Sequence, residues 1–359
     1  MVKKVGIITL GLKDNYGGIL QAICLYSHLK NIGYKPVLIR KYYRETVIRK
    51  LIINILEIIP FQNIKGIRLS KKKYINNFEF LSNYIFDRSP IFFTKKEISN
   101  YINEEKLDAV IVGSDQVWRY KYINDGEYDT YFLNLDISPE AKKISYAASF
   151  GGDTWEAPDL NKDISKFLSK FTAVSVRENT GISICKNQFN YEDAEFVLDP
   201  TLLIDVDFYE TMIKNIPSQK ADCIEYILDK SEFKSSIVSE LKTNLNFSKT
   251  LELLNSSKIY SIPEWVAAFK NTDFVITDSF HGMVFSIIFN KQFVVFVNES
   301  RGSSRFESLC EILNIKGRLI YGQNEYNNTL VDINYEDVNK IIDEMRIKSS
   351  DFLKMNIES

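Results

Sequence analysis

Histidine is rare in this chain, and paired cysteine is absent. Of the 359 residues, two are histidines and four are cysteines. The cysteines are far apart in the sequence and form no CxxC pair. Because zinc sites need clustered cysteine and histidine ligands, the sequence predicts no metal centre of that kind. We expect four reduced, buried thiols: Cys24, Cys185, Cys223 and Cys310.

A strong net charge and a long apolar run are also absent. The net charge of −2 gives the chain no general attraction to nucleic acid. The most apolar stretch, residues 51–60, is interrupted by Asn54 and Glu57 and is too short to span a membrane. Residues 1–10 have the pattern of a strand rather than of a signal peptide. The sequence therefore predicts a cytoplasmic protein that binds no nucleic acid.

Apolar runs of strand length alternate with helical patterns along most of the chain. Such alternation indicates parallel α/β sheets, and the length is comfortable for two domains. We expect two Rossmann-like α/β domains that face each other across a cleft, over residues 1–200 and 201–335. A helix over residues 336–359 should end the chain. A basic, aromatic and helical insertion is expected in the first domain over residues 40–90.

The segment TDSFHG, residues 277–282, contains His281. An apolar run precedes it and a longer one follows, which indicates a strand, a short turn and a helix. At such a junction open α/β sheets bind ligands, and unpaired backbone N–H groups attract anions. His281 is therefore a candidate catalytic residue, with Ser279 and Gly282 beside it. His28, in the middle of a predicted helix, is expected to be structural.

Two other loops follow predicted strands. Residues 11–21 contain two adjacent glycines that let a ligand approach the backbone; the alternative is a flexible turn. Residues 112–118, VGSDQVW, follow a buried strand. Asp115 and Gln116 can bind sugar hydroxyls and Trp118 can stack on a pyranose ring. The alternative is a turn that leads into an Asp-capped helix, with a core tryptophan.

Two arginines are candidate anion ligands. Arg177 ends a predicted strand, where its guanidinium can clamp a carboxylate or phosphate, or else pair with Glu178. Arg305 is predicted in the first turn of a helix, where the helix dipole disfavours a cation. That position indicates an anion nearby or a salt bridge to a neighbouring glutamate. For Asp205 and Asp207, helix capping is a simpler interpretation than metal binding.

The ordered set of these segments resembles the polysaccharide pyruvyl transferase family. The matching pieces are NYGGILQ (15–21), VGSDQVW (112–118), YAASFG (146–151), SVRE (175–178), LDPTLL (198–203), TDSFHG (277–282) and RFESL (305–309). The resemblance implies a glycosyltransferase-B-like pair of domains. It also implies transfer of a pyruvyl group from phosphoenolpyruvate to two hydroxyls of one sugar, giving a cyclic ketal on a bacterial surface-polysaccharide precursor.

The resemblance assigns roles to the candidate residues. His281 would be the general acid that protonates the enol carbon, and Asp115 would bind the acceptor or take its hydroxyl proton. The donor would be bound by Arg177, Ser279, Gly282 and Arg305. The acceptor, a nucleotide-linked or lipid-linked saccharide, would be bound by Asn15, Tyr16, Gly17, Gln21, Gln116 and Trp118. No step requires a metal ion or an organic cofactor.

Two other functions fit the same fold. A glycosyltransferase would take a nucleotide sugar in the cleft, and a non-catalytic relative would bind saccharide without turnover. The insertion also has two interpretations. Ten basic and two acidic residues lie between Arg40 and Lys73. Residues 40–75 can therefore contact the anionic inner face of the cytoplasmic membrane, or they form a solvated helical hairpin.

Overall fold

Parallel strands form a seven-stranded sheet in the first half of the chain. The computed structural model describes residues 2–42, 64–123, 127–254, 258–297, 302–322 and 331–359, and only the backbone of residues 64–72. The strands are β1 (Lys4–Ile8), β2 (Lys35–Lys41), β3 (Arg88–Phe92), β4 (Ala109–Gly113), β5 (Lys142–Ala148), β6 (Ala173–Val176) and β7 (Glu195–Phe196). Their order across the sheet is β3-β2-β1-β4-β5-β6-β7, and all neighbours are parallel.

The strand order reverses between β1 and β4. These two strands pair in parallel, with Ile8 opposite Val112. In an open α/β sheet the crevice beyond the carboxyl ends of such a pair is where ligands bind. The loops over residues 11–15 and 113–115 therefore lie side by side at this edge.

Helices cover the first sheet and lead to the second. They are α1 (Tyr16–Asn31), α2 (Ile64–Tyr84), α3 (Lys95–Glu104), α4 (Tyr128–Tyr131), α5 (Asn161–Leu168), α6 (Asn179–Phe189), α7 (Pro200–Leu203) and α8 (Val206–Ile213). Helix α1 is buried over nearly its whole circumference, because the run ILQAICLY offers almost no polar face.

A second parallel sheet follows in the next part of the chain. Its strands are β8 (Ala221–Tyr226), β9 (Thr250–Glu252), β10 (Thr272–Thr277), β11 (Gln292–Phe296) and β12 (Leu319–Ile320), in the order β12-β11-β10-β8-β9. Its helices are α9 (Glu232–Asn244), α10 (Ile262–Lys270), α11 (Phe280–Ile288) and α12 (Ser304–Ile312). The predicted fold class, two Rossmann-like domains, is confirmed. The second sheet also reverses its order, between β8 and β10.

The last helix, α13 (Tyr335–Glu358), packs against the first domain. Ser349 Oγ accepts a hydrogen bond from Leu198 N at 3.0 Å. Near the end of the helix, Tyr34 donates to Glu358 Oε1 at 2.9 Å. Helix α13 therefore connects the end of the second domain to loops of the first.

The two domains are in contact around the cleft. Asp153 of the first domain accepts hydrogen bonds from Ser303 Oγ at 2.9 Å and from Ser304 N at 3.2 Å. The Tyr16 hydroxyl donates to the backbone oxygen of Tyr260. These contacts hold the carboxyl edges of both sheets together, so the structure shows a closed arrangement.

The predicted helical insertion is wrong at both ends. Helix was expected over residues 40–90, but Arg40 and Lys41 belong to β2. At the other end β3 begins at Arg88 and pairs with β2 as the edge strand of the sheet. Pro90 is tolerated there because an edge strand has one side free of ladder hydrogen bonds. Residues 43–63, the larger part of the proposed membrane contact, lie outside the described residues.

All four cysteines are buried and unpaired, as predicted. Burial raises the pKa of the Cys310 thiol to about 12, so this thiol stays protonated near neutral pH. No helix among the described residues is long and apolar enough to cross a membrane.

We predict that His28 makes the protein less stable in mild acid. Burial, followed by Lys354 and Arg346, lowers the pKa of His28 to about 4, and its Nε2 lies 3.1 Å from Ser350 Oγ on α13. An unfolded histidine has a pKa near 6.5. Between pH 6.5 and pH 4, His28 is therefore protonated in the unfolded chain but neutral in the folded chain. The free energy of unfolding should therefore fall over that range.

Urea denaturation at several pH values measures this effect. The fall should be smaller in His28→Gln than in the wild type. Ser350→Ala, which keeps the histidine and removes its partner, should retain the dependence. Equal pH dependence in His28→Gln and the wild type would contradict the prediction.

Candidate active site

Six titratable side chains meet where the carboxyl edges of the two sheets face each other. None of them is more than 7% exposed. They are Asp115 after β4, Arg177 and Glu178 after β6, Asp199 after β7, His281 in the first turn of α11 and Arg305 in the first turn of α12. Both domains contribute, so this cluster exists only while they are in contact.

Arg177 is the cation at the centre of the cluster. Its Nη1 donates to Asp199 Oδ2 at 2.8 Å, and its Nη2 donates to Asp115 Oδ1 at 3.3 Å. Glu178 Oε2 lies 4.0 Å from its Nε. Burial opposes the charge, but the three carboxylates raise the pKa of Arg177 above its ordinary value. The guanidinium is thus part of a local ion-pair network, the alternative weighed from the sequence.

Arg305 lies near the same aromatic ring as Arg177. The Phe280 ring is 4.8 Å from the Arg177 guanidinium carbon and 5.5 Å from that of Arg305. Burial and then the charge of Arg177 lower the pKa of Arg305 to about 10. Two cations this close repel each other, so an anion bound between or beside them would relieve the repulsion.

His281 projects from α11 into the cluster. One edge of its ring lies against Gly17 of the first domain. Its Nε2 is 3.9 Å from Asp199 Oδ2 and has no hydrogen-bond partner among the described residues. Burial lowers the pKa of His281, and the opposing attraction of Asp199 does not fully offset this effect. The free protein therefore holds a buried imidazole with one ring nitrogen unsatisfied.

Asp115 and Asn15 lie in the two loops beside the strand reversal, and they contact each other there. Asp115 has a backbone φ of +66°, and its Oδ2 accepts from Asn15 Nδ2 at 3.3 Å. Gln116, the next residue, is buried, and its Oε1 accepts from Arg119 Nη1 at 2.9 Å. Asn15 is exposed, so this pair lies at the open end of the cluster.

Ser279 and Gly282 shape the start of α11. The Ser279 Oγ accepts from the Gly282 amide at 3.3 Å, as an N-cap does. The Gly282 N–H therefore has a partner within the helix, and the expected contact of Gly282 with the donor stays a prediction. A Cβ on Gly282 would lie 2.3 Å from Thr277 Oγ1, so the glycine lets the helix approach β10. Ser279 still has its own O–H to donate.

Two predicted acceptor ligands are core residues. Trp118 is wholly buried, stacks on Phe132 at 5.0 Å between ring centroids and donates from Nε1 to Tyr131 O. No face of its ring is open to a sugar. Gln21 is wholly buried as well, where its amide donates to Thr9 Oγ1 and accepts from Ser114 N. Both assignments are wrong because tertiary packing turns these side chains inward.

Tyr16 and Gly17 contact the second domain rather than open space. The Tyr16 ring packs against Trp265, with centroids 5.9 Å apart, and its hydroxyl donates to Tyr260 O. Gly17 faces the His281 ring so closely that a Cβ would lie 2.0 Å from Nδ1. In this arrangement both residues join the domains, which differs from the predicted role in acceptor binding.

Sequence reasoning missed two members of the cluster. Asp199 caps α7, and Glu178 is wholly buried with its Oε1 accepting from Phe150 N at 2.8 Å. Both lie in segments that resemble the family, LDPTLL and SVRE. Glu178 was considered only as an ion-pair partner of Arg177, and Asp199 was given no role. The available signal was their position, since Asp199 directly follows a predicted strand and Glu178 lies two residues after one.

No group of three potential ligands among the described residues is arranged to hold a metal ion. Asp205 lies at the N-cap position of α8, but its side chain accepts no hydrogen bond from the helix. It accepts instead from Arg346 Nη1 at 3.1 Å. The expected capping by Asp205 is therefore replaced by an ion pair.

We predict that Gly17→Ala displaces the His281 ring. The added methyl would overlap the imidazole, and overpacking of this kind costs about 1–3 kcal/mol. NMR of the ring protons should show a shifted His281 resonance beside an unchanged His28 resonance, and denaturation should show the loss of stability. Gly11→Ala is the control, because no described atom lies within 4 Å of its Cβ. An unmoved His281 resonance in Gly17→Ala would contradict the close approach.

Solved structures with similar folds include UDP-N-acetylglucosamine 2-epimerases and a glycosyltransferase. A UDP-N-acetylglucosamine 2-epimerase, described as putative, from Listeria monocytogenes is 12% identical, with a TM-score of 0.51, and the match covers 98% of this chain and 91% of that one. The UDP-GlcNAc 2-epimerase of Methanocaldococcus jannaschii is 13% identical, with a TM-score of 0.48 and coverage of 96% and 92%. The glycosyltransferase SnogD from Streptomyces nogalater is 9% identical, with a TM-score of 0.46 and coverage of 99% and 100%.

At these identities the likeness concerns the fold alone, and the Listeria structure supports the glycosyltransferase-B-like arrangement. A comparison with curated proteins gave no match. A family model does match, over residues 15–300, and it is that of the polysaccharide pyruvyl transferases. The match spans most of the chain and all of its cleft residues except Arg305. The chain therefore belongs to the polysaccharide pyruvyl transferase family.

Proposed function

We propose that this protein transfers the pyruvyl group of phosphoenolpyruvate to two hydroxyls of one sugar, forming a cyclic ketal. The acceptor would be a nucleotide-linked or lipid-linked precursor of a bacterial surface polysaccharide. The observation that carries the proposal is the closed cluster, in which a buried imidazole lies beside two buried guanidiniums, within a chain of this family. Saccharide binding alone has little need of such a site for anions.

The donor fits the charge of the cluster. Phosphoenolpyruvate carries a carboxylate and a phosphate, and guanidinium groups bind both with paired, charge-assisted hydrogen bonds. Arg177 already donates hydrogen bonds to two carboxylates, to Asp199 at 2.8 Å and to Asp115 at 3.3 Å. Arg305 has a pKa lowered by burial and by Arg177, so a bound anion would stabilise it most. We therefore assign the main donor contact to Arg305, with Ser279 and Arg177 in support.

The reaction requires one proton delivered to carbon and one bond to phosphate broken. One sugar hydroxyl forms a bond to C2 of the enol while C3 gains a proton. The C2–O bond to phosphate then breaks, inorganic phosphate leaves, and the second hydroxyl closes the ketal. Both hydroxyls lose their protons. One of these protons balances the proton added to C3, and the other leaves with phosphate or solvent.

His281 is our candidate for the acid that protonates C3. It has an unsatisfied ring nitrogen in the buried cluster. Burial lowers its pKa in the free protein, which would disfavour an acid role. The negative charge of the donor acts in the other direction and would raise the pKa when phosphoenolpyruvate binds. Protonation and donor binding would then support each other.

Asp115 is our candidate for the residue that binds the acceptor and draws off a hydroxyl proton. Its Oδ2 faces Asn15 at the open end of the cluster, where the acceptor would enter. Asn15 and Gln116 are the remaining candidates for acceptor binding, because the other four predicted ligands are core or interdomain residues.

We predict that His281→Gln abolishes turnover. Removal of a general acid typically lowers the rate by about 10²–10⁴-fold. The assay is phosphate release from phosphoenolpyruvate across a panel of nucleotide-linked and lipid-linked sugars, with the ketal product identified by mass spectrometry. His28→Gln is the control, since it removes the only other histidine. Wild-type turnover in His281→Gln would exclude its catalytic role, and transfer of a sugar from a nucleotide donor would replace the proposal with a glycosyltransferase.

We predict that Arg305→Gln mainly weakens donor binding. Loss of a hydrogen bond to a charged group costs about 1.5–3 kcal/mol, which is about 10- to 150-fold in affinity for phosphoenolpyruvate. Calorimetric titration with phosphoenolpyruvate measures the change. Arg318→Gln is a matched control, because Arg318 is another buried arginine of the second domain but bonds to Phe293 O and Gln292 Oε1 away from the cleft. Equal donor affinity in Arg305→Gln and Arg318→Gln would remove Arg305 from the donor site.

A further inference from the structure

Asp199 is the carboxylate closest to His281, with its Oδ2 at 3.9 Å from the ring Nε2. We propose that Asp199 is the counter-ion of the His281 imidazolium, a positioning residue of the first domain that keeps the proton on the ring of the second domain. The inference rests on the proposed function only for its effect on turnover. The pairing itself is a property of the free protein and can be tested without substrate.

One oxygen of Asp199 is fixed by a helix, and the other faces the cluster. Oδ1 accepts from the Thr201 backbone N–H at 3.1 Å and from its hydroxyl at 2.7 Å. Oδ2 accepts from Arg177 Nη1 at 2.8 Å and from Ser114 Oγ at 3.3 Å. The carboxylate is thus held in one orientation, with Oδ2 directed towards His281 Nε2 at 3.9 Å.

The distance of 3.9 Å suits a counter-ion that does not capture the proton. It is too long for a hydrogen bond, so a proton on Nε2 would not be hydrogen-bonded to Asp199. It is short enough for strong attraction between opposite charges in a buried site. The Nδ1 edge of the ring is occupied by Gly17, so Nε2 is the nitrogen that faces the cluster and remains available to a ligand.

Four charged groups face His281, two of each sign. Burial lowers the pKa of the imidazole most; Asp199 raises it, Arg177 lowers it, Asp115 raises it and Arg305 lowers it. Asp199 has the largest raising effect of the four. Without Asp199, Asp115 would be the one group of the four left to oppose the two guanidiniums, and the ring would be neutral over a wider pH range.

The pair forms across the domain boundary. Asp199 belongs to the turn after β7 of the first domain, and His281 to α11 of the second. The contacts of Asp153 with Ser303 and Ser304 hold the domains at this separation. Contact between the domains therefore brings the imidazole and its counter-ion together in the same site that would enclose the donor.

The test is an NMR pH titration of the protein labelled with ¹³C in its histidines. The chain has only two histidines, so two ring resonances are expected, and His28 serves as the internal reference. In Asp199→Asn the midpoint of His281 should move to lower pH while that of His28 stays in place. Thr201→Val is the matched control, because it removes one hydrogen bond to Asp199 and leaves the charge.

Asp199→Asn leaves a buried guanidinium with one partner fewer, which can destabilise the fold. The same change is therefore also made in an Arg177→Gln background, where no such cation remains. The double variant should show a lower His281 midpoint than Arg177→Gln alone. An unchanged His281 midpoint in both comparisons would overturn the proposal, whatever reaction the protein performs.

Turnover provides a second readout, which rests on the proposed function. In Asp199→Asn the loss of kcat at high pH should begin at a lower pH, with kcat at neutral pH reduced on the order of 10²-fold. Asp199→Glu, which keeps the charge, should restore the wild-type pH profile. A shifted NMR midpoint without phosphate release in the wild type would refute the proposed reaction and leave the pairing intact. A wild-type pH profile in an active Asp199→Asn variant would exclude Asp199 from proton delivery.

Discussion

The buried guanidinium of Arg177 is the constraint on which the rest of the cleft depends. A cation that is only 2% exposed is stable in a protein interior only when carboxylates surround it at hydrogen-bond distance. Here Asp199 and Asp115 do so at 2.8 and 3.3 Å. Because these residues follow three different strands of the first sheet, the ion pairs fix the relative positions of three loops at its carboxyl edge. Asp199 is thereby held where it also faces His281.

The charge of the cluster follows from this arrangement. The carboxylates of Asp115 and Asp199 are engaged mainly by Arg177, so the second guanidinium is the one whose pKa is lowered, by burial and by repulsion from Arg177. The aromatic ring of Phe280 lies within 6 Å of both cations, at 4.8 Å from Arg177 and 5.5 Å from Arg305. A small polyanion that entered beside Arg305 would compensate both the burial and the repulsion. The proposed donor has this character, which a neutral saccharide lacks.

The sequence predicted the sheets and the edge of the site better than it predicted side-chain directions. Alternating apolar runs gave both parallel sheets, and the carboxyl ends of parallel strands necessarily share one edge, so the loops with Asp115, Arg177 and His281 were located correctly. The directions of Trp118 and Gln21 depend on partners distant in sequence, Phe132 and Ser114, which no local pattern reveals. Strand β3 was missed because an edge strand with a proline lacks the apolar alternation of a central one.

Because the arrangement is closed, the surroundings of His281 depend on groups from both domains. His281 packs against Gly17, and its nearest carboxylate is Asp199, so both neighbours come from the opposite domain. An open cleft would leave the imidazole in water and the donor exposed to hydrolysis. In the proposed reaction the carbon that loses phosphate must meet a sugar hydroxyl before water reaches it, and exclusion of water is one means by which enclosed sites prevent such side reactions. A cluster assembled from two domains satisfies this requirement, since the proposed acid, its proposed counter-ion and the enclosure of the donor all require the two domains to be in contact.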